Sequence, residues 1–398
     1  MKNALLIGFT LPEEIANRIY EIDTLPAVQT TKFAWNFVDS LCTQFSSVRL
    51  LSFSPVQSYP RCRKIVFRSF TFSRGKVSGK HLGFVNLLIL KHLSRTLQLF
   101  LHALPKVQAQ RPDVVFIHGV HSPLLFFGAY LARKGYCVIP VLTDPPGVIL
   151  TTDTFLVRCL KRIDRTIVRQ LVLKFSGVIA LSDGLAEQLG RGLPKLVFPG
   201  IAVKAPTQLL PATTTQEALN NSPEVVYAGT ISASYGVRHL VEAAGLSPHI
   251  RFSLFGSGDL VGEISAAQLP NVVMHGFLPP NEVQARLKNA SLLVNCRPSG
   301  DQIAAMSFPS KLIEYALSGV PVLTTRLPSI PANVRSAFIY VDDETGHGFA
   351  SKIKEVLLTA PSERLAKVEK AQKLILQAYS TQKIGAAIFE FCTNLKRL

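Results

Sequence analysis

Lys311 and Glu314 stand three residues apart in the stretch 307–323, SFPSKLIEYALSGVPVL. That spacing puts both on one face of a helix, with Leu312, Tyr315 and Ala316 on the other. Pro309 suits the first turn, where no N–H is required of it, and Gly319 suits the end. The run 320–325, VPVLTT, then reads as a buried β-branched strand. A helix opening this way brings together free backbone N–H groups, the Ser310 hydroxyl and the Lys311 ammonium, an arrangement suited to phosphate. Glu314, one turn deeper, can accept two hydroxyl protons from a ribose.

The elements that must position these groups follow a regular alternation. A strand at 3–9 ends in a loop at Gly8, Phe9 and Thr10, where an open parallel sheet makes its ligand contacts. Residues 27–45 have helical spacing, and 48–56 form a second strand. The stretch 57–82 reads as a short strand pair or a mobile loop. An apolar segment, 84–103, is interrupted by Lys91 and Arg95 four apart on one face, the pattern of an amphipathic helix. Strands at 111–119 and 136–147 end at His118 and Asp144. A basic helix at 155–174, a strand and Ser182-capped helix over 176–189, and a strand at 195–201 complete the series. Such alternation predicts a doubly wound parallel sheet. The Thr-, Pro- and Asn-rich stretch 203–222 reads as a linker. A second α/β series follows over 224–341, and 362–397 is helical by spacing. The first loop of that series runs from Gly229 to Gly236; its glycines let a backbone approach phosphate closely.

The block 292–325, in which LLVNCRPSGD precedes FPSK and Glu314, resembles the donor-binding signature of retaining glycosyltransferases of the GT-B fold, large family four, of the bacterial cell-surface polysaccharide type. The resemblance implies an α/β protein with two Rossmann-like doubly wound domains facing a central cleft. The expected boundaries are 1–203 for acceptor binding, 204–378 for the nucleotide sugar, and a final helix, 379–398, returning to the first domain. The implied reaction moves a sugar from a nucleotide-diphosphate sugar to a hydroxyl of a glycan or lipid-linked acceptor, with retention. Ser310 and Lys311 would lie under the phosphates and Glu314 on the ribose. Gly256 and Gly258 match the family's turn after the second strand of this domain and serve equally as packing glycines. Phe277 matches an aromatic position near the base, with a core phenyl as the alternative. His118 stands where relatives place a histidine facing donor sugar and acceptor, and Asp144 where they carry His or Asp. His121 is a second candidate. A lone strand-end histidine is often structural, but two ionisable groups at successive strand ends point to a site.

The chain also departs from the family. Thr230 and Tyr235 occupy loop positions where relatives carry Arg and Lys, so Lys311 and Arg297 must supply the positive charge. The first of two glutamates eight apart is replaced by Met306, leaving Asp301 as the nearest acid. These losses favour the alternative of a non-catalytic GT-B-like subunit that binds a nucleotide sugar or a partner enzyme. No D-x-D motif is present; neither metal nor cofactor is implied.

Composition sets the setting. With 47% hydrophobic and 17% charged residues in 398, the chain can fill two cores. Six scattered cysteines without C-x-x-C fit a reducing compartment. The net charge of +17 is concentrated in the first half. Residues 61–80 hold seven basic side chains and no acid, and Arg158, Lys161, Arg162, Arg165 and Arg169 form a second cluster. Stacking aromatics and helix-turn-helix signatures are missing, which argues against nucleic acid. The expectation is a cytoplasmic protein, peripheral on the inner face of the plasma membrane. Residues 61–80 would meet anionic lipid, with Phe67, Phe70 and Phe72 dipping into the interface.

Overall fold

The computed structural model describes residues 3–147, 154–203, 223–300 and 308–395. Two compact units emerge, Met1–Ile201 with Thr381–Leu398, and Ala202–Ser380. No helix among the described residues is long and apolar enough to cross a membrane.

The described residues of the first unit form ten strands: β1 Asn3–Gly8, β2 Ser47–Ser52, β3 Val66–Phe67, β4 Phe70–Arg74, β5 Val77–His81, β6 Phe84–Val85, β7 Val114–His118, β8 Val138–Leu142, β9 Val178–Ala180 and β10 Lys195–Val197. Eight make one sheet in the order β10-β9-β8-β7-β1-β2-β5-β4, parallel except at the β4 edge. Every residue of β7 and β8 is buried, as expected of strands covered on both faces. The covering helices are α1 Glu13–Ile22, α2 Val28–Cys42, α3 Leu88–Gln98, α4 Leu104–Gln110, α5 Ser122–Arg133, α6 Phe155–Val172 and α7 Asp183–Gly190. Ser182 caps α7 by accepting the Leu185 N–H at 3.1 Å.

Two expectations for this unit are corrected, while of the two readings of 57–82 the strand pair is the one that forms. That stretch contains the hairpin β4–β5, turning at Gly75. Its phenyl rings pack inward rather than projecting: Phe67 is buried and stacked on Phe84 at 4.6 Å, Phe70 stacks on His81 at 4.6 Å, and Phe72 lies over Gly79. The helix over 84–103 starts later, at Leu88, and passes through a π turn at Leu99–Ala103 into α4. Its polarity is inverted. Lys91 and Arg95 are buried while its leucines face out.

The second unit has strands β11 Glu224–Ala228, β12 Arg251–Phe255, β13 Val272–Gly276, β14 Leu292–Asn295, β15 Val322–Thr324 and β16 Ile339–Tyr340. Their order is β13-β12-β11-β14-β15-β16, all parallel. Its helices are α8 Val237–Gly245, α9 Val261–Ala266, α10 Pro280–Lys288, α11 Lys311–Leu317, α12 Gly346–Leu358 and α13 Pro361–Tyr379. The last helix, α14 Thr381–Leu395, packs on α2 of the first unit. Gly385 permits the approach, since a Cβ there would lie 2.2 Å from Thr43 Oγ1 and 2.3 Å from the Ser40 carbonyl oxygen. Phe389 meets Phe45 edge-on at 5.5 Å. The linker read at 203–222 lies outside the described residues from 204 onward.

Candidate functional site

In the second unit the site grows from α11, two turns long. Leu312, Ile313, Tyr315 and Ala316 are buried beneath it, while Lys311 and Glu314 stay half-buried on one side. Ser310, at the helix start, has helical backbone angles and makes no side-chain cap, so its hydroxyl does not serve the helix. Lys311 Nζ donates to the Ala228 carbonyl at 2.5 Å, and a Cβ on Gly229 would fall 2.6 Å from that nitrogen. Only glycine lets the ammonium sit against this turn. The Tyr315 hydroxyl accepts the Ala228 N–H at 2.9 Å and donates to the Ala228 carbonyl at 3.2 Å. Lys311 and Tyr315, on one helix, therefore grip both polar groups of the residue that ends β11. Burial brings the Lys311 pKa down to about 8, opposed by the nearby Glu314 carboxylate. Burial also raises Tyr315, and pushes the Cys296 thiol up to about 12.

The surrounding loops lock onto this turn. Gly256 has φ +135° and packs so tightly that a Cβ would lie 1.8 Å from the Gly229 carbonyl oxygen. At Gly258 a Cβ would lie 2.0 Å from the Ile231 carbonyl oxygen. Of the two readings for these glycines, the geometry supports packing: they hold the 229–236 loop. Its far end rests just past β14, where Gly236, φ +74°, faces the Cys296 carbonyl. Thr230 and Tyr235 are exposed, and Arg297 stacks against the Tyr235 ring at 5.3 Å. Thr325 Oγ1 donates to the Arg297 carbonyl at 2.5 Å. Phe277 follows Gly276 at the end of β13 and is 47% exposed, so it is not a core phenyl. Lys311, Gly229, Thr230, Tyr235 and Arg297 thus share the carboxyl edge of this sheet with Phe277. Asp301 and Met306 lie outside the described residues. Tyr227 and Tyr315 act in the site in a way sequence reasoning missed, because tyrosines facing inward read only as core. The Tyr227 hydroxyl donates to the Thr230 carbonyl at 2.8 Å.

In the first unit, Gly8 and His118 end the neighbouring strands β1 and β7, and Asp144 lies two residues past the end of β8, which stops at Leu142 rather than at Asp144. Register pairs Ile7 with Ile117 and His118 with Val141. His118 is 1% exposed, between Phe9 at 5.9 Å and Phe33 at 5.5 Å, with neither ring nitrogen hydrogen-bonded. Burial lowers its pKa to about 4, so the ring is neutral. Gly8 makes room for it, since a Cβ there would lie 2.6 Å from His118 Cβ. His121, just before α5, packs on Phe9 at 4.7 Å. Asp144 is exposed.

Solved structures place this architecture. Sucrose-phosphate synthase from Thermosynechococcus elongatus matches at 12% identity and a TM-score of 0.68, covering 100% of both chains. The alpha,alpha-trehalose 6-phosphate synthase from Burkholderia multivorans matches at 12% and 0.65, covering 100% of this chain and 99% of that one. HepE from Anabaena, in complex with UDP, matches at 14% and 0.60, covering 99% and 100%. The fold is the GT-B fold, with two Rossmann-like domains. Residues 222–359, most of the second unit, match the family described as Glycosyl transferases group 1. Fold and family match together support a glycosyltransferase acting with a nucleotide sugar. No curated protein matches the chain significantly.

Proposed function

We propose that the protein moves a sugar from a nucleotide-diphosphate sugar to a hydroxyl of a lipid-linked glycan acceptor, in polysaccharide biosynthesis of the bacterial cell-surface type. The observation that carries the reading is the Lys311 ammonium seated on the Ala228–Gly229 turn, inside the segment that matches the family. There it meets a diphosphate beside the glycine-bounded 229–236 loop. Arg297 adds charge beside Tyr235, Ser310 adds a hydroxyl, and Glu314 takes the ribose. Phe277 offers its exposed ring to the base. Gly256 and Gly258 act by holding Gly229 and Ile231 in place. By analogy with the family, Gly8, His118 and Asp144 face the sugar, and transfer proceeds with retention. A neutral His118 suits a hydrogen-bonding role toward sugar hydroxyls better than proton shuttling near pH 7. Residues 379–398, by the same analogy, complete the acceptor domain. The enzyme works at the inner face of the plasma membrane, where such acceptors are held. HepE was solved with UDP, and a second related structure with UDP-2-fluoro glucose, so uridine nucleotides are the first donors to test.

Titration calorimetry on Lys311→Ala tests the reading. Nucleoside diphosphate binding should weaken by about 1.5–3 kcal/mol, the range for a charge-assisted hydrogen bond, with the bare nucleoside unaffected. Equal loss for both ligands would remove the phosphate assignment. Tight diphosphate binding by the wild type without transfer to any acceptor would favour the non-catalytic subunit.

A further inference from the structure

Helix α3 is turned inside out. Ile89, Leu93, Leu97 and Leu101, spaced every four residues, are 59%, 60%, 56% and 56% exposed. They form one stripe along the helix and the π turn that extends it. On the opposite side Lys91 and Arg95 are buried. Lys91 donates to the Val56 carbonyl, and Arg95 donates to the Ser54 carbonyl at 2.6 Å with its guanidinium 4.3 Å from the Phe84 ring centre. In water this orientation costs twice, by desolvating two cations and by leaving four aliphatic side chains wet.

The stripe has neighbours of the same character. Helix α5 packs against both α3 and α6 and exposes Phe126. On α6, Phe155 is 82%, Leu156 60%, Ile163 58% and Ile167 44% exposed. Asp164 of α6 acts electrostatically on His92 of α3, so the two helices lie close. Interleaved with the apolar side chains of α6 are Arg158, Lys161, Arg162, Arg165 and Arg169, against Asp164 as the helix's single acid. Exposed aliphatics on this scale exceed what a solvated face carries, and cations set among them match a surface that is apolar inside and anionic at its rim.

We propose that the α3–α5–α6 face docks on an anionic lipid bilayer, with the α3 stripe in the acyl boundary and the α6 cations at the headgroups. The proposal rests on the membrane reading above and moves the contact from residues 61–80 to these helices. A second copy of the chain fits the face poorly, because self-pairing sets one arginine-rich helix beside another.

Vesicle flotation with phosphatidylglycerol-containing and pure phosphatidylcholine vesicles, alongside size-exclusion chromatography, tests it. Wild type should float with the anionic vesicles. Ile89→Ser/Leu93→Ser/Leu97→Ser should partition at least about tenfold less, since three apolar anchors are lost from an exposed face. Its thermal midpoint and nucleotide binding report whether it is folded. Arg61→Ser/Arg63→Ser/Lys64→Ser/Arg68→Ser should keep most of the binding. In Leu93→Trp, which keeps the site apolar, an emission blue shift on adding anionic vesicles should follow. A triple variant that floats like wild type overturns the docking face and leaves the membrane reading standing. Wild type that floats with neither vesicle ends the membrane reading and the proposal with it. A concentration-dependent dimer lost in the triple variant, without flotation, assigns the face to a second copy and overturns the proposal.

Discussion

Lys311 carries a charge that burial resists. Its proton leaves at about pH 8 in the free protein rather than near 10.5, and a bound diphosphate stabilises the charged form. Diphosphate affinity should therefore be flat below about pH 7 and fall as pH rises through 8, by up to about tenfold per unit. Calorimetry across pH 6.5–9.5 checks this, as does the proton uptake expected on binding near pH 8. Lys311→Ala should lose the slope along with the affinity. For stability the sign is opposite. Between about 8 and 10.5 the unfolded chain holds a proton that the fold has released, so the cost of burying this cation disappears as pH rises through that window. His118 adds a slope of the same sign at lower pH: between about 4 and 6.5 the unfolded chain binds a proton that the buried ring does not, so stability rises with pH across that window.

At the scale of elements, the donor loop is held by glycines on neighbouring strand ends. A Cβ on Gly256 would meet the Gly229 carbonyl oxygen at 1.8 Å, from a backbone angle, φ +135°, that side chains rarely adopt. Gly256→Ala should destabilise the second unit by about 1–3 kcal/mol through overpacking. It should also displace the turn on which Lys311 sits, so nucleoside diphosphate binding should fall with it. Urea denaturation and calorimetry on the same variant check both. Unchanged binding at reduced stability would separate the β12 turn from the donor site. Helix α3 gives the complementary case. The carbonyls of Ser54 and Val56 and the rings of Phe9, Phe53 and Phe84 form a lining that takes Arg95 and Lys91 inward.

For the molecule as a whole, chain order and unit membership part company at the C-terminus. Helix α14 follows the second unit in sequence but packs on α2 of the first. Gly385→Leu should push α14 off α2, since Ser40 and Thr43 already fill the space beyond the glycine. Stability of the first unit should drop by about 1–3 kcal/mol. Hydrogen exchange should quicken in α2 and α14 while the sheet of the second unit keeps its protection. Faster exchange spread evenly over both units would mean that they unfold as one cooperative body.

Much of this was legible in the residues themselves. Strands of apolar β-branched residues alternating with helices leave few options besides parallel sheets. The spacing of Lys311 and Glu314, the prolines and Gly319 marked a helix with a polar side at a strand end. Those are local properties, set by backbone period and side-chain type. The turn contacts were not local: Lys311 reaches Ala228 and Gly256 meets Gly229 only after strands distant in sequence pair. The same limit explains α3. A period of four shows that charges and leucines occupy opposite faces, and it is identical whichever face turns inward. Only the folded unit, by placing the Ser54 and Val56 carbonyls and three aromatic rings where Lys91 and Arg95 can reach them, decided that the cations go in and the leucines out.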